Sequence, residues 1–223
     1  MKTFRYCLKA TLPVCAGYIT LGMGFGLLMY DKGYSWLWSL LMSLFIYAGS
    51  LQFVGVTLLT GGVSPISAAV TSLLVNLRHV FYGISMLEKY RDTGLAKPYL
   101  IFSLTDETYS LVCSAQPPAE IPVRKFYLYV SLLNHLWWVL GSVLGGLLGH
   151  ILPFDTTGID FAMTALFVTV ALEQWEQNRD HFPALLGFGV AIVCRILFGA
   201  SSFLLPAMAG ISAGLMIKIN FSH

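Results

Sequence analysis

Residues 76–83 read NLRHVFYG, and Arg78 is the only Asp, Glu, Lys or Arg residue in the apolar stretch 64–87 around them. Arg78 lies ten residues before Glu88, so the rise of an α-helix separates the two by roughly 15 Å. That distance is too long for the side chain to reach the end of the helix easily. An ionisable residue at such depth usually faces a partner charge, a bundle interior or a water-filled cavity. Arg78 therefore either joins two helices through a carboxylate or lines a pathway for a solute.

The composition of the whole chain is that of a membrane protein. Of its 223 residues, 57% are hydrophobic and 11% are charged, with a mean hydropathy of +0.73, whereas soluble domains carry about 25% charged residues. A membrane-spanning helix needs roughly 20 apolar residues. The sequence predicts an all-α, polytopic helical membrane protein that forms one domain, 1–223, with about six to eight membrane segments. The apolar segments are 10–29, 36–60, 64–87, 99–114, 127–149, 159–175, 183–203 and 206–218.

Several classes of protein are excluded or disfavoured by what the sequence contains. The net charge of +2 is too small and too dispersed to indicate a nucleic-acid partner. No HExxH, GxSxG or P-loop motif occurs, so we expect neither an enzyme nor an ATPase, and no cofactor. We expect buried thiols and no metal site, because the cysteines form no CxxC and have no histidine at ligand spacing. They are Cys7, Cys15, Cys113 and Cys194.

The N-terminus and the basic residues bear on location and orientation. The chain starts basic and turns apolar without a small-residue cleavage site, which predicts a retained first segment in a bacterial inner membrane. Lys and Arg should concentrate on the cytoplasmic side. The three basic clusters cannot share one side if 10–29, 36–60 and 64–87 each cross once, so one segment is re-entrant or broken, or the rule fails here. The clusters are Lys2, Arg5 and Lys9, then Lys89, Arg91 and Lys97, and finally Arg124 and Lys125.

The segment 36–60 is longer than one crossing needs, and it carries Gly49, Ser50 and Gln52 near its middle. These residues can interrupt a helix and free backbone groups that bind the carboxylate and ammonium of a zwitterion. The alternative is that the small residues only let two helices approach closely. We treat all three as candidate substrate-binding residues.

The segment 99–114 is too short for a comfortable crossing and contains LTDETYS at 104–110. Asp106 and Glu107 are adjacent, so on a regular helix they would point about 100° apart. One of them can pair with Arg78 while the other faces a cavity. Desolvation disfavours the ionised form of a carboxyl group, as a proton-coupling site requires. The alternative is a surface or re-entrant hairpin with solvated acids.

The octet NLRHVFYG also predicts a polar helical face. At about 100° per residue, Asn76, His79 and Tyr82–Gly83 fall near one face, with Arg78 on its flank. We treat Asn76, His79 and Tyr82 as candidate substrate-binding residues.

Further along the chain, His135 precedes Trp137 and Trp138 in NHLWW at 134–138. Aromatic side chains of this kind collect at membrane–water interfaces, so we interpret these three residues as an interfacial belt.

The two halves of the chain resemble each other weakly. MSLFIYAGSLQF at 42–53 aligns without a gap with TALFVTVALEQW at 164–175. The resemblance suggests repeat halves of about 10–87 and 127–203. Internal repeats with broken or re-entrant helices are typical of secondary transporters.

Four stretches taken together resemble one family. They are GFGLLMYDKGYSWLWSLLMSLFIYAGSLQF (24–53), NLRHVFYGISM (76–86), LTDETYS (104–110) and GIDFAMTALFVTVALEQW (158–175). In this order they resemble the AzlC family, the large subunits of bacterial branched-chain amino acid exporters such as the L-valine exporter. The matching motif positions are Gly49, Ser50, Gln52, Asn76, Arg78, His79, Tyr82, Asp106 and Glu107.

The resemblance implies a function and a partner. It implies export of valine, leucine, isoleucine, and methionine or related analogues, together with a small AzlD-type membrane subunit. The buried acids suit a proton-driven export. Two alternatives stay open, a passive small-solute channel and a membrane scaffold subunit that transports nothing; a membrane enzyme is the least favoured.

Overall fold

The computed structural model describes residues 2–151, 161, 164–165, 168–169, 171–172, 175–176, 180–199 and 203–221. The chain forms two compact units, Met1–Met163 and Thr164–His223, which we describe separately. A short 3₁₀ turn, Arg91–Ala96, connects two helices of the first unit. The α-helices described in the first unit are α1 (Lys2–Asp31), α2 (Trp36–Phe45), α3 (Gly49–Thr60), α4 (Pro65–Val75), α5 (Leu77–Met86), α6 (Lys97–Phe102), α7 (Asp106–Ser114) and α8 (Val123–Ile151).

Two long parallel helices, α1 and α8, form the frame of the first unit. Both are long and apolar enough to cross a membrane, by length and composition. A Cβ atom on Gly22 would lie 2.9 Å from the Ser142 backbone nitrogen, and one on Gly145 would overlap the Met23 carbonyl. Side chains larger than hydrogen therefore have no room at this interface, so the glycines let the two backbones approach closely.

The segment 36–60 folds as a helical hairpin rather than as one crossing. On its two arms, the Gln52 amide donates to the Ser43 hydroxyl at 3.0 Å, and Gly55 faces the Met42 methyl group. Helix α3 runs back toward the end of the unit at which α2 starts, since Phe53 contacts Phe25 of α1 edge-on, with 5.8 Å between the ring centres. The tip of this hairpin is 46–48, between α2 and α3.

The segment 99–114 forms a second hairpin, with its tip at 103–105 between α6 and α7. Thr105 caps α7, because its side chain accepts a hydrogen bond from the Thr108 amide at 3.2 Å. Helix α7 then returns toward the start of α8, since Val112 packs in a hydrophobic core with Cys7 and Phe126. The two hairpins enter from opposite ends of the unit, and their tips meet near its middle, where Tyr47 contacts Phe102.

The segment 64–87 runs from one end of the unit to the other with a kink. Ser64 caps α4, accepting from the Ser67 amide at 3.2 Å, and Pro65 occupies the first turn. Asn76 separates α4 from α5 with non-helical angles, φ −92° and ψ 2°. Three consecutive apolar segments are therefore each interrupted.

The basic clusters collect at one end of the first unit, which we call the basic end. Lys2 pairs with Glu120 at 3.7 Å, so the starts of α1 and α8 lie together there. Tyr90 packs on Tyr127 at 5.1 Å, and Gly94 lies against Arg124. The hairpins explain how the clusters can share one side, because neither 36–60 nor 99–114 carries the chain to the opposite end.

In the second unit, α9 (Phe182–Phe198) packs against α10 (Leu204–Phe221). Lys218 pairs with Asp180 and lies 4.6 Å from the centre of the Phe182 ring. The repeat predicted between 42–53 and 164–175 stays a prediction, since positions 166, 167, 170, 173 and 174 lie outside the described residues.

Candidate functional site

A charge network joins the three interrupted segments. One terminal nitrogen of Arg78, Nη1, lies 2.8 Å from Asp106 Oδ2, and the other, Nη2, donates to the Ser50 hydroxyl at 2.6 Å. Tyr82 donates its hydroxyl to Asp106 Oδ1 at 2.6 Å. The sequence left open which acid pairs with Arg78, and the structure identifies Asp106. Arg78 and Asp106 each keep about a quarter to a third of the side chain exposed, 30% and 26%.

Tyr82 and Arg78 lie on the same face of α5, because residues four apart are neighbours on a helix surface. Its ring stacks on Tyr109 of α7 at 4.4 Å and 10°, and the Tyr109 hydroxyl accepts from Ser85 at 3.1 Å. The sequence placed Tyr82 with Asn76 and His79. In the structure, the Tyr82 ring keeps an edge contact with His79 at 5.8 Å, but the Tyr82 hydroxyl points to Asp106.

Glu107 belongs to a separate polar network that the sequence did not predict. Tyr18 of α1, 3% exposed, donates its hydroxyl to Glu107 Oε2 at 2.7 Å and lies 2.5 Å from the Thr105 hydroxyl. Thr105 lies 3.0 Å from the Thr108 hydroxyl, which accepts from the Asn134 amide at 3.0 Å. Tyr18 is 89 residues from Glu107, so no local pattern signals the contact.

Gln52 uses its amide to connect helices. It is fully buried, donates to Ser43 at 3.0 Å and accepts from the Trp138 indole at 2.8 Å. Ser43 in turn donates to the Ser142 hydroxyl at 2.8 Å. The interpretation of Trp138 as part of an interfacial belt is wrong, because the residue is 3% exposed and its indole nitrogen donates to Gln52 inside the helix bundle.

The first hairpin tip is held in a strained conformation. Tyr47 has a φ of 43°, in the left-handed region that a bulky residue rarely adopts. Its ring stacks on His135 at 4.0 Å and 24°. Its hydroxyl is buried without a hydrogen-bond partner among the described residues. Such strain persists only where the surroundings hold it, and it is concentrated at functional sites.

His135 supports this tip through both ring nitrogens. Because Tyr47 leaves the helix, the Ser43 carbonyl accepts from His135 Nε2 at 3.0 Å instead of from a backbone amide. A carbonyl only accepts, so Nε2 carries hydrogen, and in the neutral ring Nδ1 accepts from the Tyr99 hydroxyl at 3.1 Å. His135 thus connects α8, α2 and α6. Its interpretation as part of an interfacial belt did not predict this role.

An open groove of about 530 Å³ lies beside the hairpin tips, within the usual size range of ligand pockets. Asn76 and His79 are among its otherwise mostly apolar lining residues. Asn76 Oδ1 and His79 Nδ1 are buried and have no hydrogen-bond partner among the described residues. The lining residues are Ile46, Tyr47, Ala48, Leu73, Asn76, His79, Val80, Gly83, Ile84, Leu87, Ile101 and Phe102.

Among the described residues, no group of three His, Cys, Asp or Glu side chains could hold a metal ion. The four cysteines are unpaired thiols, of which Cys7 and Cys194 are buried.

Residues 13–152, which include both hairpins, match the family model described as AzlC protein. The branched-chain amino acid transport protein AzlC of Bacillus subtilis (strain 168) is 44% identical over 96% of this chain and 84% of its own length. An uncharacterized membrane protein of Haemophilus influenzae is 40% identical over 98% of this chain and 88% of its own. Inner membrane protein YgaZ of Escherichia coli (strain K12) is 30% identical over 97% and 90%. These names support a membrane location. No solved structure matches the chain.

Proposed function

The chain belongs to the AzlC family, and from this membership we propose that it is a secondary transporter that exports branched-chain amino acids. The relative from Bacillus subtilis is named a branched-chain amino acid transport protein. The observation that carries the proposal is the apolar groove, with two unpaired polar atoms, at the meeting point of broken helices. Substrate sites of secondary transporters are typically built from such interrupted helices near the middle of the membrane.

The groove supplies groups suited to a zwitterion with a branched side chain. Asn76 Oδ1 and Nδ1 of a neutral His79 ring can accept hydrogen bonds. Both atoms are buried beside the groove and would bind the ammonium group once their side chains turn toward it. Gly49 and Ser50 begin α3 directly after Ala48, which lines the groove. The backbone amides of that first turn would bind the carboxylate. We propose that Ser50, Tyr82 and Gln52 support this site without contacting the substrate, because each forms hydrogen bonds with other side chains.

The apolar wall would accept the aliphatic side chain of the substrate without strict selection. Leu73, Val80, Ile84 and Ile101 contribute to this wall. One methylene in an apolar pocket is worth about 1–3 kcal/mol. We therefore propose that valine, leucine and isoleucine are all substrates and that methionine is a further one.

We also propose proton coupling and a partner. Asp106 and Glu107 are the candidate coupling groups, and Arg78 completes the charge network. A small AzlD-type subunit in the bacterial inner membrane is the proposed partner. Exposed apolar side chains on α4 and α5, including Ile66, Leu73 and Phe81, offer surface for that subunit or for lipid.

The test is counterflow of labelled valine and leucine in vesicles containing the protein with and without its co-expressed small subunit. We expect exchange in the presence of the subunit, and concentrative flux driven by a pH gradient. Flux that never exceeds equilibration would favour a passive channel. Folded protein that exchanges neither substrate in either preparation would overturn the proposal.

A groove-filling variant tests where the substrate binds. A Cβ atom on Gly83 would lie 3.7 Å from Ile101, so α5 accepts a side chain there. Gly83→Leu should reduce exchange by at least about tenfold, equivalent to roughly 1.4 kcal/mol. Gly17→Leu is the matched control, because Gly17 of α1 faces open space. Equal activity of the two variants would move the substrate site away from the groove.

A further inference from the structure

The two adjacent acids of α7 have different partners, and the difference assigns them different roles. Both oxygens of Asp106 are occupied, Oδ2 by the Arg78 guanidinium at 2.8 Å and Oδ1 by the Tyr82 hydroxyl at 2.6 Å. Arginine stays charged in proteins. Both oxygens of Asp106 are therefore committed to contacts that hold α5 and α7 together.

Glu107 has no cation within ion-pair distance among the residues that the structure describes. Its one side-chain hydrogen-bond partner there is the Tyr18 hydroxyl, at 2.7 Å from Oε2. The groups near Glu107 are Tyr18 from α1, Tyr47 from the first hairpin tip, Asp106 beside it and Arg78 from α5. The guanidinium of Arg78 is already committed to Asp106 and Ser50.

The hydroxyl groups next to Glu107 fit both of its protonation states. The Tyr18 oxygen contacts Glu107 Oε2 and the Thr105 hydroxyl, at 2.7 and 2.5 Å, yet it carries one hydrogen. With Glu107 ionised, Tyr18 donates to it and Thr105 donates to Tyr18. With Glu107 protonated, Glu107 donates to Tyr18, Tyr18 donates to Thr105, and Thr105 donates to Thr108, which is the direction that the structure gives for this last bond. The Asn134 amide donates to Thr108 in either case.

We propose that Glu107 is the residue that binds and releases the coupling proton, with Tyr18 as its positioning residue, while Asp106 serves as the structural partner of Arg78. This assignment rests on the proposed function. One O–H bond forms at Glu107 when a proton enters from one side of the membrane. The same bond breaks when the proton leaves to the other side, and no electron is transferred.

The first experiment measures protonation directly and does not depend on transport. Infrared spectra of the reconstituted full chain with its small subunit are recorded over a pH series for wild type, Glu107→Gln, Asp106→Asn and Glu88→Gln. We expect Glu107→Gln to lose a titrating carboxyl C=O band that the other three proteins keep. Glu88, which is exposed, is the matched control. A band that Asp106→Asn loses and Glu107→Gln keeps, or no such band in wild type, would overturn the proposal.

The second experiment separates coupling from substrate exchange. For Glu107→Gln, we expect valine transport driven by a pH gradient to fall at least about tenfold while counterflow falls much less. For Asp106→Asn, gradient-driven transport and counterflow should fall together. Tyr18→Phe should move the pH midpoint of the infrared band. If the wild-type protein transports no valine, the proposed function is wrong, but the infrared experiment still tests the role of Glu107. Unchanged gradient-driven transport in Glu107→Gln would contradict the assignment of the coupling proton to Glu107.

Discussion

At the scale of single residues, Arg78 joins parts of the chain that are distant in sequence. Its two terminal nitrogens contact Asp106 and Ser50, so one planar group connects α5, α7 and α3. Arginine suits this position because its guanidinium presents several donors in a fixed fork, whereas lysine is a single point charge.

Arg78→Lys should therefore abolish most transport even though it keeps the charge. The ammonium can pair with Asp106 but cannot also hold Ser50 in the same geometry, so we expect at least about a tenfold loss of exchange. Valine counterflow measures this loss, and co-purification of the small subunit measures assembly. Ser50→Ala is the control that removes only one of the two contacts. Intact transport with lost assembly in Arg78→Lys would instead favour a scaffold role for the charges.

The residues of this network differ in how far the sequence could predict them. Arg78, Asp106 and Glu107 were recognisable because charged residues in apolar segments carry a high desolvation cost. Tyr18 and Asn134 were not recognisable, since a tyrosine or asparagine in a long apolar helix has many ordinary uses. Their roles depend on the hairpin tip that α1 and α8 contact, and that is a tertiary feature.

At the scale of elements, the interruptions are the main structural feature. Gly49, Ser50 and the length of 36–60 indicated a break, and the structure places it at 46–48, immediately before α3. The sequence could not predict that the two arms fold back on each other. That depends on contacts such as Gln52 with Ser43 and Trp138, whose partners come from two different helices.

His135 should stabilise the first hairpin tip. His135→Ala leaves the Ser43 carbonyl without its donor, and a buried unsatisfied polar group costs about 1–3 kcal/mol. We expect a lower midpoint of thermal unfolding in detergent for His135→Ala and a partial recovery for His135→Gln, whose amide can donate to the same carbonyl. His150→Ala is the control, because His150 is exposed and contacts the Tyr30 ring only edge-on. Equal midpoints for the two alanine variants would contradict this role.

At the scale of the whole molecule, the basic end indicates the orientation of the first unit. Single crossings by each of the first three apolar segments could not place the three basic clusters on one side. The two hairpins remove the conflict, since each returns to the end from which it enters. Because Lys and Arg concentrate on the cytoplasmic side, we expect the basic end to face the cytoplasm.

Single cysteines test this orientation in a variant that lacks the four native cysteines. Asp92→Cys lies at the basic end, and Val63→Cys lies in the loop between α3 and α4 at the opposite end; both positions are exposed. A membrane-impermeant maleimide should label position 63 from outside in spheroplasts and position 92 only in inverted vesicles. The reverse pattern would invert the orientation, and labelling of both from one side would contradict the passage of 64–87 from one end of the unit to the other.

The pairing of Arg78 with Asp106 also constrains how the protein is made. A ribosome adds about 5–20 residues each second, so Arg78 leaves the ribosome a few seconds before its counter-charge Asp106 does. During that interval, α5 would carry an unpaired cation if it entered lipid alone, at a cost of several kcal/mol. The nascent α4–α5 segment should therefore wait in the translocon or at the membrane surface until α7 emerges, so that the hairpins and α5 partition into the bilayer together.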